Sequence, residues 1–424
     1  MRLRLPRRRL RRPLRARARR RGLGSVGRFC RLRGRGRVRG PGGLPARLPG
    51  RGTGLRGRSV KAAPGFVASD VPLGPRTTLG VGGAARWLAA VEDEAQLDAA
   101  LAWARGARLP VFVLGGGSNV LVSDAGFDGL VVQVAACGRA VRRVDDAMEV
   151  DVAAGEVWDA LVEWSVAEGL AGIECLSGIP GAVGAAPIQN IGAYGQEVGT
   201  TLVSVRAVDV ATGAARDLAA DACALGYRTS RFKADPRRVV LTQVTLRLRP
   251  GGAPTVAYAD LADRLGPSPT LTEVRAAVIE VRRGKSMVID PTDANHRSAG
   301  SFFLNPVVPS DAIDAIAKRV AAAGHDPARM PRWPAGDDAI KLSAAWLIER
   351  AGLQRGHGIG RVGLSTRHTL ALVNRGGARA DEVIAFAADV RATVQRAFGV
   401  TLHPEPVLVG FDAHWPAVLD AAAR

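Results

Sequence analysis

The pattern of apolar and polar positions predicts short strands alternating with amphipathic helices. Alternating or short continuous apolar runs predict strands at Arg86–Val91, Pro110–Leu114, Leu130–Val134, Leu202–Val210 and Val239–Arg249. Apolar residues at helical spacing predict helices at Glu92–Arg105, Glu156–Glu168, Glu273–Arg283, Ala344–Ala351 and Asp381–Phe398. Gly169, Gly352 and Gly399 mark the ends of the second, fourth and fifth of these helices. The mixture predicts an α+β fold, and the length of 424 residues suggests roughly two to three domains.

Residues 1–66 differ in composition from the rest of the chain. They contain 23 of the 59 basic residues and no acidic residue, which leaves 36 basic and 39 acidic residues for the remainder. The net charge of +20 therefore describes this segment and not the body of the protein. Because Arg/Gly/Pro-rich sequence of low complexity buries little apolar surface, we expect residues 1–66 to be disordered.

Three interpretations of residues 1–66 are open. The start codon is set too early and the true start lies near Val60 or Val67, or the segment is an Arg-rich transit peptide, or it is a nucleic-acid-binding arm. The abrupt change of composition at Val67 favours the first interpretation. We expect no nucleic-acid partner for the folded body.

Cysteine and histidine spacing argues against disulfide and metal chemistry. The four cysteines, Cys30, Cys137, Cys175 and Cys223, include no Cys-x-x-Cys pair, and the six histidines include no His-x-x-x-His pair. No run approaches the ~20 apolar residues that span a bilayer. We therefore expect a cytoplasmic protein with no metal site and no membrane association.

Two glycine-rich segments are candidate ligand-binding loops. Gly115–Asn119 follows a predicted strand, so its backbone can approach a phosphate closely and direct amide N–H groups at it. The alternative is a tight turn. Ser177–Gly195 contains five glycines and two prolines but few charges, which is typical of a backbone wrapped around a flat ligand. The alternative is a long structural loop.

Three further motifs contain charged or hydroxyl side chains that are candidates for substrate binding or catalysis. Gly226–Lys233 carries cations and a phenol that suit an anionic group, unless it is an ordinary basic loop. Ala299–Pro306 sets Ser301 beside two phenylalanines, as a shielded proton donor or a strand-capping serine. Leu402–Val409 holds Glu405 between two prolines, which would fix its carboxylate in place unless it is simply exposed.

Together, these motifs resemble those of the UDP-N-acetylenolpyruvoylglucosamine reductases. The similar segments, in order, are Pro187–Gly195, Gly226–Lys233, Gly300–Pro306 and Pro404–Glu405. The match extends from about Val71 to Gly410 and includes Thr77–Gly80 near its start. This resemblance implies the two-domain FAD-binding fold of the vanillyl-alcohol-oxidase-like (PCMH-type) flavoproteins, plus a third α+β substrate-binding domain.

The resemblance also implies domain boundaries. Residues 67–135 would form the first FAD-binding domain, completed by residues 396–424. Residues 136–270 would form the second FAD-binding domain, and residues 271–395 would bind the UDP-sugar. The strand that carries Glu405 would return to the first domain and meet the flavin.

The activity implied is reduction of UDP-N-acetylglucosamine enolpyruvate to UDP-N-acetylmuramate, a step in peptidoglycan precursor synthesis. NADPH would be the hydride donor and FAD, held non-covalently, the carrier. By match, Arg228 would stabilise the developing negative charge, with Glu405 beside it, and Ser301 would protonate the α-carbon. FAD contacts are expected from Gly115, Gly116, Gly117, Ser118, Asn119, Ile179, Pro180, Gly181, Gly184, Gln189, Asn190, Gly192, Ala193 and Tyr194. UDP and diphosphate contacts are expected from Tyr227, Tyr258, Lys285, Asn305 and Lys341.

The sequence departs from the family pattern at Ala185–Ala186 and at Leu304, and Lys285 matches only approximately because the stretch 284–298 is longer than expected. Two alternatives are a related flavin oxidase and a nucleic-acid-binding protein that acts through the arginine tail. Many such oxidases attach flavin through His or Cys, and Cys175 is the only cysteine near the glycine-rich segments. We expect a monomer.

Overall fold

The computed structural model describes residues 62–422. Residues 1–61 of the basic segment, for which disorder is expected, lie outside the described residues. Residues 62–66 are described, and Ala63 and Phe66 pack against the core of the first domain. The folded part therefore includes a few residues more than the predicted boundary at residue 67.

The first domain is a four-stranded sheet with one helix packed against it. Its elements are β1 (Val67–Pro72), β2 (Ala84–Val91), α1 (Glu94–Ala107), β3 (Val111–Val113), β4 (Val120–Val122) and β5 (Phe127–Val134). The strand order is β1-β2-β5-β3, and β5 runs parallel to both of its neighbours. Asp93 caps α1 by accepting a hydrogen bond from the Gln96 amide. Because β3 runs directly into the first glycine loop, that loop lies at the carboxyl end of parallel strands, where α/β sheets bind ligands.

The second domain contains a larger antiparallel sheet. Its elements are β6 (Arg139–Val144), β7 (Ala147–Ala153), α2 (Trp158–Ala167), β8 (Leu170–Ala171), β9 (Gly192–Ala193), β10 (Gln196–Glu197), β11 (Leu202–Asp209), β12 (Ala215–Ala219), α3 (Arg231–Ala234) and β13 (Val239–Pro250). The order is β12-β11-β13-β7-β6. Val157, which lies within the predicted helix Glu156–Glu168, precedes α2 in the structure and is 44% exposed. Trp158 takes the buried position and donates to the Leu176 carbonyl.

Two helices connect the second domain to the third: α4 (Ala259–Ala262) and α5 (Leu271–Gly284). The apolar face of α5 packs with Cys175 and Leu261, and Arg275 of α5 forms an ion pair with Asp159 of α2 at 2.6 Å. Residues 271–284, expected to begin the substrate domain, therefore pack on the second domain, because their apolar stripe faces its core.

The third domain combines two small sheets with helices. Its elements are β14 (Val307–Pro309), α6 (Ile313–Ala322), β15 (Arg332–Pro334), β16 (Ala339–Leu342), α7 (Ala344–Arg350), β17 (Gly358–Ile359), β18 (Val362–Leu364), β19 (Leu372–Asn374) and α8 (Ala380–Phe398). The sheet orders are β14-β16-β15 and β17-β18-β19. Asp124 of the first domain accepts hydrogen bonds from the Ala380 and Asp381 amides, so it caps α8 from a neighbouring domain.

The C-terminal segment is divided between two domains. β20 (Val407–Val409) pairs in parallel with β4 of the first domain, whereas α9 (Ala417–Ala422) packs on α8. Leu402 and Leu419 belong to the core of the third domain. Residues 396–424 therefore do not all complete the first domain as expected, although β20, which follows Glu405, does return to it.

Within residues 62–422, no helix combines the length and the apolar character needed to cross a membrane. The same residues contain no group of three or more His, Cys, Asp or Glu side chains that could hold a metal ion.

Candidate active site

The two glycine-rich loops meet face to face. A Cβ atom on Gly116 would lie 2.6 Å from the Cα atom of Gly181, so a side chain at Gly116 would push the two loops apart. Ser118 joins the loops by donating a hydrogen bond to the Pro180 carbonyl at 3.0 Å. The two predicted loops therefore form one surface.

Among the glycines of these two loops, Gly117 requires the absence of a side chain most strictly. Its φ is +67°, and a Cβ atom would lie 2.1 Å from the Arg76 carbonyl oxygen. The first loop is thus pressed against the turn that follows residue 76, which fixes the direction of its amide groups.

A large cavity opens beneath these loops. The predicted cofactor residues that line it are Gly115, Gly116, Gly117, Ser118, Asn119, Ile179, Pro180, Gly181, Gly184, Gln189 and Gly192. The three predicted catalytic residues, Arg228, Ser301 and Glu405, line the same cavity. Phe112, Leu241 and Val407 are among its apolar walls. Glycine-rich backbone for a diphosphate and apolar walls for flat rings fit a dinucleotide such as FAD.

The described residues that line the cavity include neither a histidine nor a cysteine. Cys175, the cysteine weighed for a covalent flavin link, is buried, and its Sγ atom donates to the Thr255 carbonyl at 3.1 Å. Burial raises its pKa to about 12, so the thiol stays protonated.

Arg228 is held by backbone carbonyls of the second glycine loop. Its guanidinium donates to the Gly192 carbonyl at 2.6 Å and to the Asn190 carbonyl at 3.3 Å. Its own backbone has a φ of +52°, and its carbonyl accepts a hydrogen bond from Lys233 at 3.0 Å. These contacts fix a planar cation at the cavity wall, with its Nε atom 3.6 Å from Oε1 of Glu405.

Glu405 reaches the cavity because its backbone is tied to two neighbouring segments. Its amide donates to the Phe302 carbonyl at 2.8 Å, and its carbonyl accepts a hydrogen bond from Asn119 at 3.3 Å. Burial raises the pKa of Glu405, and the charges of Arg228 and Lys233 oppose that rise.

Ser301 lies two residues before Phe303, which forms a β-bridge with Pro404, the neighbour of Glu405. The next two residues, Phe302 and Phe303, are fully buried with ring centroids 5.3 Å apart. The Phe302 amide donates to the Leu370 carbonyl at 2.7 Å. The serine is therefore backed by an apolar wall on one side and faces the cavity on the other.

Three predicted cofactor residues do not line the cavity. Asn190 is buried and holds the second glycine loop together, because its amide group bonds to Glu197, Gly199 and Gly226. Ala193 lies in the β9–β10 pair. Tyr194 packs against the α5 helix and meets the ring of Tyr258 edge-on, with centroids 6.0 Å apart.

The predicted substrate residues fall into two groups. Tyr227 and Lys341 meet, with the Lys341 ammonium 4.7 Å from the centre of the Tyr227 ring. Burial raises the pKa of Tyr227, while the charge of Arg228 and hydrogen bonding with Asn305 lower it. Asn305 therefore lies beside Tyr227 and belongs to this group. Tyr258 and Lys285 lie elsewhere. Tyr258 is 51% exposed, and Lys285 forms an ion pair with Asp260 at 3.4 Å.

Sequence reasoning missed Arg282 as a site residue. It lines the cavity, its guanidinium donates to the Met287 carbonyl at 2.7 Å, and its Nε atom has no hydrogen-bond partner among residues 62–422. Burial lowers its pKa. A signal was present, because Arg282 lies four positions after Val278 and therefore on the apolar face of the predicted helix, where an unpaired cation is unusual.

Comparison with known proteins identifies the fold and the family. A family model described as the UDP-N-acetylenolpyruvoylglucosamine reductase C-terminal domain matches residues 290–409, and an FAD-binding domain model matches residues 85–219. The chain resembles the crystal structure of UDP-N-acetylenolpyruvylglucosamine reductase from Thermus caldophilus with a TM-score of 0.54 and 27% identity, over 80% of this chain and 97% of that one. The predicted FAD-binding α+β fold with an additional domain is thereby confirmed.

The sequence relatives agree with this assignment. The UDP-N-acetylenolpyruvoylglucosamine reductase of Thermobifida fusca is 47% identical over 348 residues, which cover 81% of this chain and 98% of the relative. That of Streptomyces coelicolor is 44% identical over 80% of this chain and 90% of the relative. The chain therefore belongs to the UDP-N-acetylenolpyruvoylglucosamine reductase family, as the motifs predicted.

Proposed function

We propose that this protein uses NADPH to reduce UDP-N-acetylglucosamine enolpyruvate to UDP-N-acetylmuramate, supplying a precursor of peptidoglycan. Membership of the family supports the FAD-dependent reductase activity. The roles of individual residues are supported by their positions in the structure. Arg228, Ser301 and Glu405, which are distant in sequence, line one cavity with both glycine loops. A nucleic-acid-binding role for the folded body gains no comparable support.

The cofactor is FAD, which when bound accepts a hydride from NADPH and passes it to the β-carbon of the enolpyruvyl group. The backbone amides of Gly115–Asn119 and those of Gly181 and Ala182 are suited to hold its diphosphate. The apolar walls exclude water from its rings. Arg282 adds a buried cation to the cavity wall, where its Nε atom, unpartnered among the described residues, would suit an electron-rich oxygen of a bound ligand.

Arg228 stabilises the carboxylate of the substrate and the negative charge that develops next to it. Two carbonyl hydrogen bonds hold the guanidinium before substrate arrives, so little reorganisation is needed in the transition state. Glu405 orients the guanidinium through its carboxyl group, whose Oε1 atom lies 3.6 Å from the Nε atom of Arg228.

Ser301 donates a proton to the α-carbon. A serine hydroxyl is a very weak acid, but a carbanion-like centre is basic enough to accept its proton. The buried phenylalanines behind Ser301 keep water from competing for that position.

Tyr227, Asn305 and Lys341 bind the UDP end of the substrate. Tyr227 lies in the loop 226–233 of the second domain and contacts Lys341, which lies in β16 of the third domain. The Lys341 ammonium is a compact positive charge that suits a diphosphate, and the ring of Tyr227 covers this ammonium. Tyr258 and Lys285 are weaker candidates because of their separate placement.

The reaction takes place in the cytoplasm, with a single copy of the protein as the active unit.

The first test measures cofactor and substrate dependence in the purified full-length protein. We expect a flavin absorbance spectrum, release of the yellow colour into the supernatant after acid precipitation, and NADPH oxidation that requires the enolpyruvyl UDP-sugar. A colourless protein or turnover indifferent to that sugar would contradict the proposal, and colour retained in the pellet would indicate a covalent flavin.

The second test addresses the proton donor. Ser301→Ala should slow reoxidation of the reduced flavin by substrate while flavin reduction by NADPH proceeds at the normal rate. Ser310→Ala, which removes a serine hydroxyl from the surface of the third domain, is the control. Equal losses in both half-reactions of Ser301→Ala would refute the proton-donor role.

A further inference from the structure

We infer that Thr78 is a positioning residue that sets Ser301 relative to the cofactor loop. Thr78 does not line the cavity, but it bonds to both segments that must be aligned for proton transfer. This inference rests on the proposed role of Ser301 as proton donor.

Thr78 connects two domains with its backbone and its side chain. Its amide donates to the Gly117 carbonyl at 3.0 Å. Its hydroxyl donates to the Ser298 carbonyl at 2.6 Å. Gly117 is part of the glycine loop suited to the FAD diphosphate, and Ser298 lies three residues before Ser301.

The turn that carries Thr78 cannot move freely. The Thr77 hydroxyl donates to the Gly74 carbonyl at 3.0 Å and accepts a hydrogen bond from the Gly80 amide at 3.1 Å. The backbone at Arg76 fits closely against Gly117, as the 2.1 Å approach of a Cβ atom indicates. Thr78 therefore links the glycine loop to the segment that precedes Ser301, so that a shift of one would shift the other.

Asn374 provides a second attachment of the same turn to the third domain. Its buried amide side chain donates to the Leu79 and Gly80 carbonyls at 3.0 and 3.3 Å. Its backbone amide donates to the Arg297 carbonyl at 2.9 Å. Asn374 thus keeps the two segments together, and the Thr78 hydroxyl fixes the next carbonyl along the chain.

The backbone is held by a hydrogen bond on each side of Ser301. On one side the Ser298 carbonyl is held by Thr78, and on the other the Phe302 amide is held by Leu370. Gly300, with a φ of +72°, lies between them and offers a flexible point. If the Thr78 hydroxyl is lost, the Ser301 hydroxyl can shift while the rest of the fold stays in place through Asn374.

The experiment compares Thr78→Val, Thr78→Ala and Thr78→Ser in the full-length holoenzyme by stopped-flow measurement of both half-reactions. We expect Val and Ala to slow reoxidation by the enolpyruvyl substrate about tenfold, because small misplacements of a catalytic group are costly. Flavin reduction by NADPH should change less than about twofold, and the solvent deuterium isotope effect on reoxidation should rise. Thr78→Ser keeps the hydroxyl and should restore the rate.

Thr201→Val is the matched control, because it removes a buried threonine hydroxyl that bonds to the Val198 carbonyl in the second domain. It should lower stability without a selective effect on reoxidation. If Thr78→Val fails to bind flavin, the Ser and Ala variants still isolate the contribution of the hydroxyl. Equal rates for Ser and Ala, or parallel losses in both half-reactions, would overturn the inference.

A double variant separates the two proposals. If Thr78 acts through Ser301, Thr78→Val should have no further effect on reoxidation in a Ser301→Ala background. A full tenfold loss in that background would refute positioning of Ser301 by Thr78. If Ser301→Ala alone shows no selective loss, the proton-donor assignment fails first, whatever the Thr78 variants do.

Discussion

The Nε atom of Arg228 lies 3.6 Å from Oε1 of Glu405, and both side chains face the cavity that Ser301 lines. One residue comes from a loop of the second domain, and the other precedes the strand that returns to the first. The pair therefore forms only when the chain closes around the cavity. It places a fixed cation opposite a buried carboxyl group at the point where the substrate would react.

Arg228→Lys should impair the second half-reaction more than the first. A lysine keeps the charge but cannot donate to the Gly192 carbonyl and face Glu405 with the same planar group. We expect reoxidation by the enolpyruvyl substrate to fall by about 10²-fold or more, with flavin content preserved. Arg231→Lys, at a neighbouring exposed position, is the control, and near-normal reoxidation in Arg228→Lys would contradict the assigned role.

Glu405→Gln should change how stability depends on pH. Because the folded state raises the pKa of Glu405, the native protein binds this proton more readily than the unfolded chain does. The native state therefore loses stability at this site as the pH rises from the usual carboxyl range through the raised pKa. We expect the variant to become more stable relative to wild type as the pH rises above 4.5, the usual pKa of the group, measured by urea unfolding of the apoprotein. A stability difference that is constant with pH would refute this.

Gly117→Ala should prevent flavin binding. Its φ of +67° and the close Arg76 carbonyl leave no room for a methyl group. We expect the ratio of flavin to protein absorbance to fall at least tenfold. Gly106→Ala in α1 is the control, since a Cβ atom there meets nothing within 4 Å, and it should raise stability by about 0.5–1 kcal/mol. Full flavin content in Gly117→Ala would show that the loop is not pressed against the turn.

His368→Gln should reduce the acid sensitivity of the fold. Burial, with smaller effects of Lys285 and Arg355, lowers the pKa of His368 from 6.5 to about 4. Between these values the unfolded chain binds a proton that the native state does not, so stability is lost as the pH falls from 6.5 to about 4. The loss amounts to about 3 kcal/mol. Thermal unfolding of the variant should depend less on pH in this window, whereas that of the exposed-site control His414→Gln should match wild type.

The sequence by itself determined the local elements and the motifs. The apolar spacing at Leu97, Leu101 and Ala104 predicted α1, and Gly399 marked the end of α8, because these signals act within one or two turns of chain. The same holds for the glycine loops, since close approach of a backbone requires glycine whatever surrounds it. Their combined order was specific enough to predict the family.

Only the tertiary structure decided which residues share the cavity. Tyr194 and Asn190 belong to the matching motif, yet their side chains support the loop, whereas Arg282 lies outside every motif and faces the cavity. Packing also assigned α5 to the second domain and divided the C-terminal segment between two cores. These outcomes depend on contacts between segments that are distant in sequence, and no local pattern contains the free energies of such contacts. The contact of Arg228 with Glu405 is one example.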